Sequence, residues 1–324
     1  MLFRFSRIFQ RMMSTDPTSR FITLSNRPIV DTNGETVQGP LKLHYWEWKG
    51  HQPTILFCHA ASFHGRCYDP IINEGLHDFH VIALDFRGHG RSQTHPPPYR
   101  FRWHGEDVLQ FIETLNLNKD NLIGIGHSMG GYALTCAAAI APRRLFQALL
   151  LLDPVIFPSS LYQDDRSYSS YLDYILRRKN QWLSVEDMFE KLEKREPFSR
   201  WPKETLRNYC TYALDKNYKL VCAPDGEASI YRTSIETDTN IYPFIKKSKF
   251  IQDIPIHIVR ASFPYSIGQF DTSPTAPDLV KWFQKGQDTQ LENTKHFFPM
   301  EQPQLVIDLV KKLMEENKKL FSHL

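Results

Sequence analysis

The chain has 324 residues, of which 41% are hydrophobic and 23% are charged, a composition typical of a globular protein with one sizeable core. No apolar run approaches the roughly 18 residues that a bilayer-spanning helix needs, so we expect no transmembrane segment. The net charge is +3, and it arises within the first twenty residues from Arg4, Arg7, Arg11 and Arg20 opposite Asp16. The neutral remainder gives no electrostatic basis for binding nucleic acid.

Both ends of the chain carry patterns typical of targeting signals. Within residues 1–20 the arginines recur at helical spacing between apolar residues, and no acidic residue precedes Asp16, as in a mitochondrial presequence. The chain ends in Ser322-His323-Leu324, which is similar to the Ser-Lys-Leu peroxisomal signal. We predict a peroxisomal protein that binds an import receptor through this tripeptide, with a mitochondrial address as the alternative.

Five cysteines are spread along the chain, their number is odd, and no pair has Cys-X-X-Cys spacing. A disulfide framework needs paired cysteines and an oxidising compartment, so this pattern favours a reducing compartment. The histidines likewise show no spacing that is typical of a metal site. We therefore expect that the protein uses neither a metal nor a cofactor.

After residue 20, short apolar runs alternate with longer periodic segments, which predicts an α/β fold with a mostly parallel central sheet flanked by helices. Buried parallel strands are continuous apolar runs because both faces of the sheet are covered. The expected strands are residues 21–24, 41–48, 54–59, 80–85, 121–126, 148–153, 255–259 and 288–292. The expected core helices are residues 66–76, 101–115, 129–141, 277–285 and 303–320.

Residues 154–253 break this alternation, because they separate two consecutive predicted strands by a long polar and aromatic stretch. A structureless connection of that length is rare within a compact domain. We predict that this cap segment forms a helical lid over the carboxyl edge of the sheet, while residues 21–153 and 254–324 form the core. Its helix-compatible stretches are residues 169–178, 185–194 and 202–213.

Residues 121–131 combine an apolar strand, a glycine-rich turn and a helix of small residues. Gly126, Ser128 and Gly130 match Gly-X-Ser-X-Gly in the context that a nucleophilic serine requires, where a strained turn leaves no room for bulky neighbours. The helix that follows directs free N–H groups at the reacting oxygen, which makes the Met129 N–H a predicted oxyanion donor. A phosphate-binding turn is the alternative, but the glycines do not form Gly-X-Gly-X-X-Gly.

Two further stretches resemble the α/β-hydrolase superfamily, and the resemblance extends over nearly all of the chain after residue 20. Residues 85–92 match the Asp-X-Arg-Gly-X-Gly-X-Ser turn of that family. Residues 55–61 lie where the family has a strand followed by His-Gly, with Ala60 in place of the glycine. The resemblance implies an α/β-hydrolase fold, a serine hydrolase with Ser128 as its nucleophile, and the Ala61 N–H as a second oxyanion donor.

The resemblance also implies a catalytic histidine in the loop after the last strand. His296 occupies that position, with Asn293 where the family has a glycine. For the orienting acid, the usual position after the seventh strand holds no carboxylate, whereas Asp153 ends the sixth strand, where some lipases of the superfamily place their acid. We choose Asp153 over Asp271, because the acid must be a buried carboxylate that accepts the Nδ1–H of the histidine.

Four stretches in and beside the cap segment resemble fungal hydrolases similar to a peroxisomal lipase. They are residues 153–156, Arg177-Arg178, residues 195–201, and residues 220–224 with Glu227-Ala228. The resemblance implies hydrolysis of a small-molecule acyl or lipid ester through a Ser-His-Asp triad and an acyl-enzyme. Acyl-CoA thioester hydrolysis and acyl transfer would use the same residues and stay open. A non-catalytic ligand-binding protein on this fold is the alternative from a different class.

Overall fold

The computed structural model describes residues 16–119, 121–163, 169–262 and 271–317, and in this part of the chain eight strands form one sheet. The strands are β1 (Thr18–Val30), β2 (Thr36–Trp48), β3 (His51–Cys58), β4 (Phe79–Asp85), β5 (Ile123–His127), β6 (Ala148–Leu152), β7 (Ile256–Arg260) and β8 (Gly286–Gln290). Their order is β1-β2-β4-β3-β5-β6-β7-β8. The β1–β2 and β2–β4 pairs are antiparallel, and the other pairs are parallel. The predicted α/β fold with a mostly parallel sheet is confirmed.

The inner strands show the burial expected of a sheet that is covered on both faces, because every residue of β5 and β6 is buried. Along β6, Leu149 and Leu151 belong to one hydrophobic core, and Leu150 and Leu152 belong to the core on the opposite face. Burial of each leucine contributes roughly 1.5–3 kcal/mol. Since β3, β5, β6 and β7 run parallel, their carboxyl ends meet at one edge of the sheet.

The two outermost strands differ from their predicted bounds. Strand β1 is much longer than the predicted residues 21–24, and the predicted N-terminal address over residues 1–20 overlaps its start. Most of its residues are exposed because it is an edge strand, so the apolar signal covers only a short part of it. Strand β8 begins earlier than the predicted residues 288–292, and its polar sequence explains why the apolar pattern misplaced it.

The core helices outside the cap segment are Asp69–Ile71, Phe101–Thr114, Met129–Ile140, Phe298–Glu301 and Pro303–Glu316. Residues 66–76, predicted as one helix, form three short turns of different helix type, because Pro70 has no N–H with which to continue a hydrogen-bonded ladder. The helix predicted over residues 277–285 is wrong. Only the 3₁₀ turn Leu279–Trp282 forms there, since Phe283 takes an extended conformation that leads the chain into β8.

The cap segment is helical and lies between β6 and β7. Its helices are Ser169–Leu176, Val185–Leu192, Lys203–Ala213, Pro224–Thr233, Tyr242–Lys247 and Lys249–Gln252. The sequence analysis overlooked Pro224–Thr233, although a proline at its first position and acidic residues in its first turn are a helix-start signal. This helix is tied to the core because Ser229 Oγ accepts the Tyr99 N–H at 2.8 Å and Thr233 Oγ1 accepts the Phe101 N–H at 2.9 Å.

None of the described helices combines the length and the apolar character that crossing a bilayer requires. Both predicted targeting signals fall largely on residues whose structure is not described. Residues 1–15 of the N-terminal signal and the tripeptide Ser322-His323-Leu324 lie outside the described residues.

Candidate active site

Ser128 stands at the sharp turn between β5 and the helix Met129–Ile140. Its backbone has φ 56° and ψ −117°, a conformation that a non-glycine residue adopts only when its surroundings force it. The surroundings do so through four backbone hydrogen bonds. The Ser128 N–H donates to the Leu152 carbonyl at 3.0 Å, and the Ser128 carbonyl accepts the N–H groups of Gly131 at 3.0 Å, Tyr132 at 3.3 Å and Val155 at 3.1 Å.

The glycines on either side of Ser128 allow the turn to pack this tightly. A Cβ atom at Gly130 would lie 2.0 Å from the carbonyl oxygen of Cys58, at the end of the neighbouring strand β3. A Cβ atom at Gly126 would lie 2.6 Å from the carbonyl carbon of Gly130. Both clashes are with backbone atoms, which can shift only at a large cost in free energy. The turn therefore requires glycine at both positions and brings the end of β3 against the start of the helix.

His296 lies in the loop between β8 and the short helix Phe298–Glu301, and its Nε2 atom is 3.0 Å from Ser128 Oγ. Asn293 in this loop has φ 53°, a left-handed conformation that asparagine adopts more readily than most residues. Ser262 anchors the loop to the end of β7, because its hydroxyl donates to the Thr294 carbonyl at 2.7 Å and accepts the Thr294 N–H at 2.9 Å.

Asp153 follows β6 and is completely buried. Its Oδ2 atom is 2.7 Å from His296 Nδ1, and its Oδ1 atom accepts the Ala261 N–H at 3.3 Å and the Thr275 hydroxyl at 3.2 Å. Ser273 also donates its hydroxyl to Oδ1. A carboxylate with these donors can only accept from the ring, so Nδ1 carries the proton and Nε2 presents a lone pair to the Ser128 hydroxyl.

Asp271, the rival acid, lies in a different environment. Its carboxylate accepts hydrogen bonds from Lys295 Nζ at 2.8 Å and from Arg200 Nη2 at 3.1 Å, and its side chain is 45% exposed. Among the described residues, Asp153 is the one that places a carboxylate on the His296 ring. The structure therefore brings together Ser128, His296 and Asp153, and it does not place Asp271 in that chain of hydrogen bonds.

The two predicted oxyanion donors, Met129 and Ala61, belong to two segments that meet at Gly130. Met129 is the first residue of its helix, and N–H groups at a helix start have no acceptor within the helix. Ala61 belongs to the β3 loop, residues 59–64, which leaves the strand that packs against Gly130. Met129 directly follows Ser128 in the chain, and both Met129 and Ala61 are buried.

Two buried histidines brace the β3 loop from the core. His59 Nε2 accepts the Phe86 N–H at 3.0 Å while its Nδ1–H donates to the Ala60 carbonyl at 2.7 Å. His89 Nε2 accepts the Ser62 N–H at 3.0 Å, and burial lowers the pKa of His89 to about 4, which keeps that nitrogen free to accept. His89 belongs to the turn at residues 85–92, for which the sequence analysis proposed no role in the site.

The model of the alpha/beta hydrolase family matches residues 55–309 of this sequence. The chain belongs to the alpha/beta hydrolase family. This alpha/beta hydrolase is 25% identical over 226 residues to the Abhydrolase domain-containing protein ACTT2-1 of Alternaria alternata, a match that covers 61% of this chain and 84% of the relative. It is 32% identical over 94 residues to the 2-(acetamidomethylene)succinate hydrolase of Mesorhizobium japonicum, which covers 29% of this chain and 33% of that one.

Solved structures share the fold of this alpha/beta hydrolase along most of its length. The peroxisomal alpha-beta-hydrolase Lpx1 of Saccharomyces cerevisiae superposes with a TM-score of 0.72 at 16% identity, covering 94% of this chain and 90% of that one. A thermophilic esterase from Thermogutta terrifontis superposes with a TM-score of 0.61 at 18% identity, covering 92% and 99%. At these identities the similarity shows the fold and leaves the substrate open.

In the described part of this alpha/beta hydrolase, no three histidine, cysteine or acidic side chains are grouped as metal ligands.

The sequence analysis missed Ser273 and Thr275, which hold the Asp153 carboxylate, and no motif marks them. Their link to Asp153 spans 120 and 122 residues of sequence, so only the folded chain reveals it.

Proposed function

We propose that this alpha/beta hydrolase cleaves carboxylic esters of acyl or lipid type through an acyl-enzyme, with Ser128 as nucleophile, His296 as general base and Asp153 as orienting acid. The observation that carries the proposal is the unbroken chain of contacts from Ser128 Oγ to His296 Nε2 at 3.0 Å and from His296 Nδ1 to Asp153 Oδ2 at 2.7 Å. These distances lie within reach for proton transfer.

The reaction proceeds in two halves. Ser128 Oγ attacks the ester carbonyl as its proton passes to His296 Nε2, and the N–H groups of Met129 and Ala61 stabilise the oxyanion of the tetrahedral intermediate. The C–O bond to the alcohol then breaks, and His296 gives its proton to the departing oxygen. In the second half, His296 removes a proton from water, and the resulting attack on the acyl-enzyme releases the acid and regenerates Ser128. Asp153 stabilises the imidazolium throughout.

An aromatic cluster beside His296 favours a substrate whose acyl group is apolar. Phe63 of the β3 loop stacks on Phe297 with ring centroids 5.6 Å apart, and Trp201 and Tyr209 of the cap segment lie 5.4 Å and 5.5 Å from the Phe63 ring. Three separate parts of the chain thus contribute aromatic rings to one cluster that includes Phe297, the neighbour of His296. We infer that residues 154–253 act as a lid whose inner face contacts the acyl chain.

Two other activities are compatible with these residues. A thioesterase would use the same acyl-enzyme with a thiol as the leaving group, and an acyltransferase would use an alcohol in place of water in the second half. A ligand-binding protein without activity would never form the covalent intermediate. The buried and fully hydrogen-bonded Asp153 favours an enzyme, because a binding protein has no use for an oriented imidazole.

The test is a substrate panel measured on the purified protein. It consists of p-nitrophenyl esters and acyl-CoA thioesters of increasing acyl length, with Ser128→Ala as the matched control. We expect ester turnover that rises with acyl length and falls to background in Ser128→Ala. Faster turnover of the thioesters would favour the thioesterase. Turnover that is equal in the wild type and in Ser128→Ala would contradict the proposal.

We also propose that Ser322-His323-Leu324 directs the protein to peroxisomes through an import receptor. The support is the similarity of this tripeptide to Ser-Lys-Leu. A fluorescent protein fused ahead of residue 21 tests it, with and without the last three residues. Punctate peroxisomal signal that becomes diffuse on deletion is the expected result, and a signal that the deletion leaves unchanged would contradict it. A full-length chain that accumulates in mitochondria would support the alternative N-terminal address.

A further inference from the structure

One arginine of the cap segment fastens it to the core just after the His296 loop. Arg200 ends the 3₁₀ turn Phe198–Arg200, and its Nε atom donates to Glu301 Oε1 at 2.8 Å. Glu301 ends the short helix that follows His296. The Arg200 side chain is 23% exposed and that of Glu301 only 9%, so this ion pair is largely shielded from water. Salt screens such a pair less than it screens an exposed pair.

Two other carboxylates meet Arg200, and both are more exposed than Glu301. Asp271 accepts from Arg200 Nη2 at 3.1 Å and shares its carboxylate with Lys295. Glu196, which belongs to the cap segment itself, forms an ion pair with Arg200 and is 64% exposed. Ion pairs between exposed side chains contribute little to holding a structure together. Glu301 is therefore the partner that fixes the position of Arg200 on the core.

The residue after Arg200 carries a ring of the aromatic cluster. The Phe297 ring lies 5.3 Å from the His296 ring, and the Trp201 ring lies one step further out, 6.1 Å from Phe297. Phe297 and Glu301 belong to one helical turn, because the Phe297 carbonyl accepts the Glu301 N–H at 3.1 Å. Two adjacent residues of the cap segment, Arg200 and Trp201, thus contact one turn of the core, the first by charge and the second by its ring.

No hydrogen bond fixes the direction of the Trp201 ring. A buried indole N–H usually finds an acceptor, but Trp201 Nε1 has no hydrogen-bond partner among the residues that the structure describes. The ring is 5% exposed and is surrounded by other rings. These are Phe63, Phe198, Tyr209 and Phe297. Contacts between rings tolerate sliding and tilting, so the placement of Trp201 depends on where its neighbour Arg200 is held.

We propose that Arg200 is a positioning residue whose ion pair with Glu301 seats Trp201 on the aromatic cluster and thereby sets the preference of the enzyme for long acyl chains. This inference rests on the function proposed above, in which the cap segment contacts the acyl chain. Because Trp201 lies one ring further from His296 than Phe297 does, a long acyl chain reaches it and an acetyl group does not. Without the ion pair, the ring tilts away and the outer methylenes of the chain lose an apolar contact.

The test measures a chain-length ratio, defined as kcat/KM for p-nitrophenyl octanoate divided by kcat/KM for p-nitrophenyl acetate. Arg200→Gln and Glu301→Gln remove the ion pair from either side and should each lower this ratio by about 10-fold. Arg200→Lys restores a charge and should recover part of the loss. The matched control is Arg207→Gln, since Arg207 forms an exposed ion pair with Glu186 within the cap segment. It should change the ratio by less than about twofold.

A double variant tests whether Arg200 acts through the Trp201 ring. Trp201→Ala should lower the chain-length ratio at least as much as Arg200→Gln does. Adding Arg200→Gln to Trp201→Ala should lower the ratio no further, because the ring that Arg200 positions is already absent. A double variant in which the two effects multiply would overturn the inference, since Arg200 would then act independently of Trp201.

The outcomes distinguish this inference from the function on which it rests. A wild type without Ser128-dependent turnover would contradict the proposed function, and this inference with it. If turnover depends on Ser128 but Arg200→Gln and Glu301→Gln leave the chain-length ratio unchanged, the inference alone is overturned. Equal losses for acetate and octanoate belong to this result, because they would give the ion pair a purely structural role. Should Arg200→Gln fail to fold, Glu301→Gln and Arg200→Lys decide the matter.

Discussion

His127 donates its Nε2–H to the backbone carbonyl of His296 at 3.0 Å. The two residues are distant in sequence, yet one precedes Ser128 on the sharp turn and the other carries the imidazole that faces it. Their rings lie with centroids 5.2 Å apart, and His127 is buried. The hydrogen bond therefore ties the loop of the predicted base directly to the turn of the predicted nucleophile and sets the distance between them.

The protonation state of His127 suits this position. Burial lowers the pKa of His127 well below its usual range, and the nearby His296 lowers it further. The ring is therefore neutral, with its proton on Nε2 and with an Nδ1 atom that has no hydrogen-bond partner among the described residues. A second positive charge here would repel the imidazolium that forms on His296 during the reaction. The neutral state avoids that repulsion.

The first prediction concerns the His127 hydrogen bond. His127→Leu removes the donor and should lower kcat by about 10- to 100-fold, because the His296 loop loses its tether to the turn. His127→Gln places an amide N–H near the original Nε2 position and should recover most of the loss. Steady-state kinetics at fixed pH, with thermal unfolding as a check on folding, measure both. Equal losses in the two variants would argue that His127 only fills space.

The second prediction separates the two candidate acids. Asp153→Asn should lower kcat by about 10⁴-fold, because an amide can donate to Nδ1 and stabilise the wrong imidazole tautomer. Asp271→Asn is the matched control and should change kcat by less than about threefold, since Asp271 contacts Lys295 and Arg200 on a half-exposed surface. Pre-steady-state kinetics measure the rate of Ser128 acylation, the step in which His296 must accept the proton. A severe loss in Asp271→Asn with an active Asp153→Asn would reverse the assignment.

A third prediction follows from the packing of the turn. Gly130→Ala places a Cβ atom 2.0 Å from the Cys58 carbonyl oxygen and should lower the free energy of unfolding by about 3 kcal/mol. Gly34→Ala is the matched control, because Gly34 has φ +83° and open space around it. That variant should cost about 1–2 kcal/mol from the left-handed backbone alone. Urea unfolding of the three proteins gives the comparison, and a Gly130→Ala protein as stable as Gly34→Ala would contradict it.

The fourth prediction concerns stability in acid. Burial lowers the pKa of His64 and of His89 to about 4, while an unfolded histidine titrates near 6.5. Between these values the unfolded chain binds more protons than the folded chain, so the free energy of unfolding falls as the pH drops from about 6.5 toward 4. Each such histidine contributes a slope of about 1.4 kcal/mol per pH unit in this window.

His64→Gln tests that slope. His64 Nε2 donates to the Tyr209 carbonyl at 3.0 Å, and glutamine can still make this hydrogen bond but does not titrate. Urea unfolding between pH 7 and pH 4.5 measures how the free energy of unfolding changes with pH. In the variant this slope should be smaller by about 1.4 kcal/mol per pH unit, the contribution of one titrating histidine. At pH 7 and above, where the wild-type contribution of His64 is fully present, the two proteins should differ by a constant amount. Parallel pH dependences over the whole range would refute the assignment of a neutral, buried His64.

The sequence predicts best the strands whose apolar pattern has a single cause, namely burial on both faces of the sheet. Strands such as β5 and β6 are buried on both faces, so their apolar runs are unambiguous. The edge strand β1 and the polar strand β8 lack that signal, and their bounds were displaced. The helix predicted at residues 277–285 had apolar residues at helical spacing, but backbone hydrogen bonding ends after the turn Leu279–Trp282, which periodicity cannot reveal.

For the candidate site, local motifs predict Ser128 and His296, because a turn and a loop that short sequences specify carry them, and the structure places their side chains 3.0 Å apart. The choice of Asp153 over Asp271 rested on its position at the end of the sixth strand, and the burial that a triad acid requires is conveyed by the sequence only indirectly. The contacts of His89 with Ser62 and of Ser273 with Asp153 could not be predicted from one sequence. Each joins residues that lie far apart along the chain and meet only when the core has folded.

The most direct test of the central claim is labelling of the intact protein with a fluorophosphonate, followed by mass spectrometry of its peptides. An oriented Ser128-His296 pair should react within minutes and carry the label on the peptide that contains Ser128, while Ser128→Ala stays unlabelled and Asp153→Asn reacts far more slowly. A folded wild type that remains unlabelled, or that carries the label on another serine, would contradict the assignment of Ser128 as the nucleophile.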